Sequence, residues 1–124
     1  TVVIPLHPMV KAILAKYNGK LPKSVDKTHT LKQIRKCAEL AGISEHISLS
    51  RVKGGQSVIK RGEKHQFLMN HTARRSFATN MYLRGVPSIS IMAITGHTTE
   101  ANFLKYIKVD KLQHARIVAQ AFAH

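Results

Sequence analysis

The chain has 124 residues, 44% of them hydrophobic, and carries 20 Lys and Arg against six Asp and Glu, a formal net charge of +14. That length allows one small domain with a modest core rather than two independent ones, and no apolar run approaches the roughly 18 residues of a membrane span. The charge is far beyond what solubility requires and recurs in every segment, so nucleic acid is the first expected partner, ahead of an anionic membrane surface.

The opening "TVVIPL" is a β-branched run ended by Pro5 and predicts a strand. It lacks the basic leader of a secretory signal, so a cytoplasmic, DNA-associated location is expected. "HPMVKAILAKYNG" follows with Val10, Ile13, Leu14 and Tyr17 at helical spacing and Asn18-Gly19 as a stop. After the link "KLPKSVD", the stretch "KTHTLKQIRKCAELAGI" predicts a second helix, with Leu31, Ile34, Ala38 and Ile43 on one face and Gly42 capping its end. "HISLSRVKGGQSVIKRG" alternates on both sides of Gly54-Gly55 and reads as a basic β-hairpin or an extended loop. Its Arg51, Lys53, Lys60 and Arg61 are candidate phosphate contacts.

The remaining half predicts four helices: "NHTARRSFATNMYLRG" capped by Asn70, "VPSISIMAITG" starting near Pro87, "TTEANFLKYIKV" capped by Thr98 or Thr99, and "DKLQHARIVAQAFA". Gly85 and Gly96 are placed as stops. The fold class is therefore mainly α with a small β component. Cys37, with no second cysteine to pair with, is expected to be a small core residue. The eight histidines include no i, i+4 pair and no His-Glu-x-x-His, so no metal is expected.

Three short stretches carry chemistry. In "HTARRSF", His71 and Arg74 lie three residues apart on adjoining parts of one helix face, within reach of one ligand. A guanidinium offers a fixed fork of donors to phosphate oxygens, and an imidazole can donate a hydrogen bond or carry a proton near neutral pH. Gly96-His97 closes an apolar helix, and Tyr106 follows nine residues later. Taken singly, each has an ordinary explanation: an exposed helix start, a loop histidine, and a tyrosine packed with its hydroxyl at the surface.

Together, His71-x-x-Arg74, Gly96-His97 and Tyr106 resemble, in order and spacing, the C-terminal motif set of the tyrosine recombinases, the phage-integrase family. The resemblance is strong over residues 68 to 110, including Phe77-Ala78-Thr79 and Gly85, and looser over "TVVIPLHP", which is similar to the strand and helix start after that family's catalytic β-hairpin. It implies site-specific DNA recombination or integration, with Tyr106 as the nucleophile that forms a 3′-phosphotyrosyl link. Arg74 would hold the non-bridging oxygens, His71 would serve as acid-base or hydrogen-bonding partner, and His97 would bind the scissile phosphate. The bond energy is retained, so neither ATP nor a metal is implied. A free tyrosine, with a pKa near 10, is only about one part in a thousand ionised at pH 7, which is why such a nucleophile belongs among Arg and His. The implied partners are double-stranded DNA and further copies in a tetrameric synapse, joined through the tail at residues 110 to 124.

The family's upstream catalytic arginine and β-hairpin lysine have no counterpart here, since Lys11, Lys16 and Lys20 all follow the "TVVIPL" segment. The resemblance therefore implies that residues 1 to 124 are the C-terminal portion of an integrase catalytic domain, inactive when isolated. Other departures are Arg75 in place of a frequent histidine, Thr95 in place of an aliphatic residue, and Lys108 in place of a histidine after the tyrosine. Arg75, Lys105 and Lys108 keep the site cationic and are further candidate DNA contacts. The alternative is a non-catalytic or degenerate DNA-binding fragment, in which "VPSISIMAITGHTTEANFLKYIK" is a helix-turn-helix with Gly96 in the turn.

Overall fold

Residues 1–123 are described in a computed structural model, and they form a mainly α chain with one small two-stranded antiparallel sheet, as the segment patterns predict. They divide into two compact units: Thr1–Pro22 together with His71 onward, and Lys23–Asn70.

In the first unit, α1 (Pro8–Lys16) begins with proline at a position whose N–H has no helical partner, and His7 Nδ1 accepts the Met9 N–H at 3.2 Å. It ends at the Asn18-Gly19 stop, where both residues take left-handed backbone at φ 53° and 75°. The expected "TVVIPL" strand is absent: residues 1–6 have no regular structure. A strand exists only by pairing, Pro5 offers no donor, and the one sheet among the described residues is complete within the second unit.

The core of the first unit lies in α3 (Thr72–Leu83), α4 (Ser88–Thr95) and α5 (Glu100–Ile107). Ala78, Ile91, Phe103 and Ile107 are buried there, with Met81, Tyr82, Val86, Met92, Tyr106 and Val109 packed around them. Asn70 does not cap α3; His71 occupies the N-cap position, and its side chain makes no capping bond. The helix ends in a Schellman turn, with left-handed Gly85 donating to the Tyr82 carbonyl at 3.0 Å and Val86 to the Met81 carbonyl at 3.1 Å. Pro87 stands at the N-cap of α4, and left-handed Gly96 ends it. Of the two threonines considered, Thr99 caps α5, its Oγ1 accepting the Asn102 N–H at 3.4 Å. Phe103 is fully buried, so Phe103→Ala is expected to cost about 3–5 kcal/mol, much of the stability of a small domain. A urea titration that shows no fall in midpoint would contradict this placement.

The final helix α6 (Lys111–Phe122) opens with a capping box in which Asp110 Oδ1 accepts the Gln113 N–H at 2.8 Å and Gln113 Oε1 accepts the Asp110 N–H at 3.0 Å. It packs on α3 of its own chain, with the Tyr82 hydroxyl 3.3 Å from His114 Nδ1. No residue of α6 is fully buried, and Leu112, Val118 and Phe122 are exposed.

In the second unit, α2 (Lys27–Leu40) starts where Asp26 Oδ2 accepts the Thr28 and His29 N–H groups, at 2.9 and 3.2 Å. Its C-terminus is a Schellman turn through left-handed Gly42, with Ile43 donating to the Ala38 carbonyl at 3.0 Å. Its buried stripe is narrower than the spacing predicts: Ala38 is buried and Leu31 half-buried, but Ile34 and Ile43 are exposed, and half-buried Arg35 donates from Nε to the Leu68 carbonyl at 3.0 Å. Cys37 is exposed rather than in the core, because its position is about 100° around the helix from Ala38. The alternating stretch is a hairpin, not an open loop. Strands β1 (His46–Lys53) and β2 (Gln56–Glu63) pair from His46–Glu63 to Lys53–Gln56. The two-residue turn Gly54-Gly55 has φ 60° and 77°, the left-handed pair that matches strand twist.

Candidate active site

The start of α3 and the ends of α4 and α5 bring Arg74, Arg75, His97 and Tyr106 together within the first unit. Arg74 lies one turn into α3, and its guanidinium donates through Nη2 to the backbone carbonyl of Thr95. That carbonyl is one of those left without a helical partner where α4 stops, so Arg74 completes the end of a neighbouring helix. A guanidinium has five N–H donors, and the arginine as a whole is exposed, so the rest of the fork remains open to a ligand.

His97 follows directly after left-handed Gly96. Its ring is held on three sides: Nδ1 is 2.8 Å from Thr95 Oγ1, the Phe103 ring meets it edge-on at 5.6 Å, and the Tyr106 ring lies 4.8 Å away. Tyr106 is in the last turn of α5, on the border of the apolar core. On its ring sits the guanidinium carbon of Arg75, 5.0 Å from the centroid, within the range of a cation–π contact. The Tyr106 hydroxyl is buried and has no hydrogen-bond partner, the one such side-chain atom among the described residues. Leaving a hydroxyl in that condition costs about 1–3 kcal/mol, and a fold that retains it invites a functional explanation.

His71 is exposed at the N-cap of α3, and no hydrogen bond or ring contact joins it to Arg74, His97 or Tyr106. Its backbone, at φ −81° and ψ −7°, continues the helical path, which keeps its side chain on the face adjoining Arg74. Lys105 is exposed on α5, and Lys108 ends that helix in left-handed backbone, unusual for a residue with a side chain, at φ 51°.

The other candidate contacts lie on the hairpin of the second unit. The pairing of Arg51 with Val58, Lys53 with Gln56 and Leu49 with Lys60 puts Arg51, Lys53 and Lys60 on one face, while Arg61, paired with Ser48, points to the other. The three-cation face borders a groove of about 450 Å³, into which Arg35, Leu49 and Phe67 also project and which no acidic side chain lines. Lys60 Nζ lies 5.9 Å over the Phe67 ring.

Two roles were not visible in the pattern. Arg75 is foreseen only as a DNA contact, yet it covers the tyrosine ring. Thr95 is foreseen only as a departure in residue type, yet its carbonyl holds Arg74 and its hydroxyl holds His97. The signal was a hydroxyl at the end of the apolar run "SISIMAI", just before the glycine that ends the helix. No group of three or more His, Cys, Asp or Glu side chains is arranged to hold a metal ion among the described residues, and no helix among them is long and apolar enough to cross a membrane. No protein-family model, curated protein or solved structure matches this chain.

Proposed function

We propose that this chain is the C-terminal portion of the catalytic domain of a tyrosine recombinase, which breaks and rejoins double-stranded DNA through Tyr106. The observation that carries the reading is the buried, unpartnered Tyr106 hydroxyl on a ring enclosed by His97 and Arg75. A tyrosine kept only for packing is better served with its hydroxyl at the surface or bonded. A tyrosine kept as a nucleophile needs cations and a proton acceptor beside it.

In the proposed reaction the phenolic oxygen of Tyr106 attacks the phosphorus of a DNA phosphodiester, and the bond to the 5′ oxygen breaks. The products are a 3′-phosphotyrosyl ester and a free 5′-hydroxyl. The tyrosine gives up one proton and the 5′ oxygen takes one up, so the exchange balances without ATP. Arg74, anchored by one donor and open at the others, stabilises the charge that builds on the non-bridging oxygens. His97 binds the same phosphate, and His71 acts as acid-base or hydrogen-bonding partner from the adjoining helix face. The buried hydroxyl has to emerge for the attack, so DNA binding is expected to shift Arg75 or the short helix α5.

The test is a nicked suicide duplex incubated with the full-length protein and resolved on a denaturing gel. A covalent adduct on the 3′ phosphate is expected; an adduct on the 5′ phosphate, or cleavage with no adduct, would overturn the reading. The non-catalytic alternative draws on the α4–α5 pair joined across Gly96, which also suits a helix-turn-helix, but it gives the unpartnered hydroxyl no purpose.

The charge of +14 supports DNA as the partner, with Arg75, Lys105, Lys108 and the hairpin cations as backbone contacts. Each phosphate neutralised contributes about −0.9 to the slope of log K against log salt. Replacing Arg51, Lys53 and Lys60 by Gln is thus expected to flatten the slope by up to about 3, with Arg61→Gln as a separate probe of the opposite hairpin face. An unchanged slope in the triple variant would remove that face from the DNA contact. Self-association on DNA through α6 is supported by its exposed Leu112 and Phe122. Sedimentation of DNA complexes that stay monomeric at saturation would remove it.

A further inference from the structure

The hydrogen bonds around Thr95 determine which nitrogen of His97 carries a proton. The Thr95 hydroxyl lies 2.9 Å from the Ile91 carbonyl one turn earlier and 2.8 Å from His97 Nδ1, and Thr95 is buried. A carbonyl only accepts, so the single hydroxyl proton goes to Ile91. The hydroxyl oxygen is then left as an acceptor, and the bond to the imidazole exists only if Nδ1 bears a hydrogen. Nε2 makes no hydrogen bond among the described residues.

We infer that Thr95 is a positioning residue whose hydroxyl accepts from the Nδ1–H of His97 and so leaves Nε2 aimed at the ligand, where it takes up a proton and, in the imidazolium form, donates to a phosphate oxygen. The inference deepens the recombinase reading and rests on it for the identity of the ligand, though not for the tautomer. The packing agrees with this role. Phe103 and Tyr106 fix the plane of the imidazole from two directions, and the Thr95 bond fixes the rotation within that plane. Because the Thr95 carbonyl also holds Arg74, one residue at the end of α4 aligns two phosphate-binding groups borne on separate segments. The backbone half of that arrangement needs no particular side chain; the imidazole half needs a hydroxyl or another acceptor of the same reach.

The experiment has two arms. In the first, the 15N-labelled chain is studied by long-range proton–nitrogen correlation at a pH where the His97 ring is neutral. Wild type is expected to show Nδ1 protonated and Nε2 bare, Thr95→Val to shift His97 toward the Nε2–H form, and Thr95→Ser to restore the wild-type pattern. A wild type with protonated Nε2 and bare Nδ1, or a Thr95→Val variant with no change, would overturn the inference. The backbone amide spectrum of each variant reports whether the fold is retained.

In the second arm, single-turnover cleavage by the full-length protein is measured on the suicide duplex. Thr95→Val is expected to slow adduct formation about tenfold to a hundredfold, the range seen when groups that orient a ligating histidine are removed, with recovery in Thr95→Ser. A tautomer change with undiminished cleavage would overturn the positioning role. A wild type that has the Nδ1–H form yet forms no adduct would instead leave the tautomer control standing and remove the recombinase reading.

Discussion

Tyr106→Phe is expected to abolish the covalent protein–DNA adduct while leaving the fold at least as stable as before. The two effects are opposite in sign because the hydroxyl has two different consequences. In the proposed reaction it is the attacking atom, the only oxygen that can form the ester, and phenylalanine has none. As a buried group without a partner it is a burden on the folded state, and its removal is expected to raise the unfolding free energy by up to about 1–3 kcal/mol. The aromatic ring, its contact with His97 and the guanidinium of Arg75 over its face are all kept. Adduct formation on a 3′-labelled suicide duplex and the thermal midpoint of the same preparation check the pair. An adduct that survives the substitution would remove Tyr106 from the chemistry, and a fall in midpoint of several degrees would show that the hydroxyl has a partner in solution.

Arg74→Ala is expected to slow strand cleavage by about 10²–10³-fold, the range for deleting one preorganised donor that meets developing charge. DNA affinity should fall much less, because one phosphate contact among many is lost. Arg74→Lys keeps the charge but not the planar fork that bonds the Thr95 carbonyl and, in the proposed reaction, would hold a phosphate at the same time, so its rate is expected to stay well below wild type. Either variant also leaves a helix-end carbonyl short of its partner, at a cost of about 1 kcal/mol in stability. Single-turnover rates measured at saturating DNA separate the two effects. An alanine variant within about threefold of wild type would exclude Arg74 from transition-state stabilisation.

The helices were legible because their apolar spacing and their stops are local features. Gly42, Gly85 and Gly96 all take the left-handed backbone that ends a helix, and Gly54-Gly55 makes the hairpin turn. Failures came where a distant partner decides. "TVVIPL" has the residue types of a strand, but types do not supply a neighbour to pair with. Cys37 has the chemistry of a core residue, but α2 buries too narrow a stripe to include it. The cap expected at Asn70 failed by one position, His71 standing there instead, whereas Thr99, one of the two threonines considered, does cap α5. At the candidate site the residues taken singly had ordinary explanations, and it was the resemblance to a family motif set that singled out His71, Arg74, His97 and Tyr106; the structure gathers the last three around Thr95 and the edge of the core. The roles of Thr95 and Arg75 depend on which surface of α4 and α3 faces the tyrosine, and that is set by packing across helices rather than by neighbours in sequence.

The core beneath the site has a kinetic consequence. Ala78, Ile91, Phe103 and Ile107 fall within thirty residues of one another along the chain, on three successive helices. Contacts between such near neighbours close short loops, and short loops cost little entropy to close. The part of the chain that bears the tyrosine is therefore expected to collapse early in folding. Amide exchange should report a hierarchy in the native protein, with slow exchange concentrated in α3 to α5 and faster exchange in the exposed hairpin strands. The tyrosine thus stands on the segment expected to be the hardest to melt among the described residues.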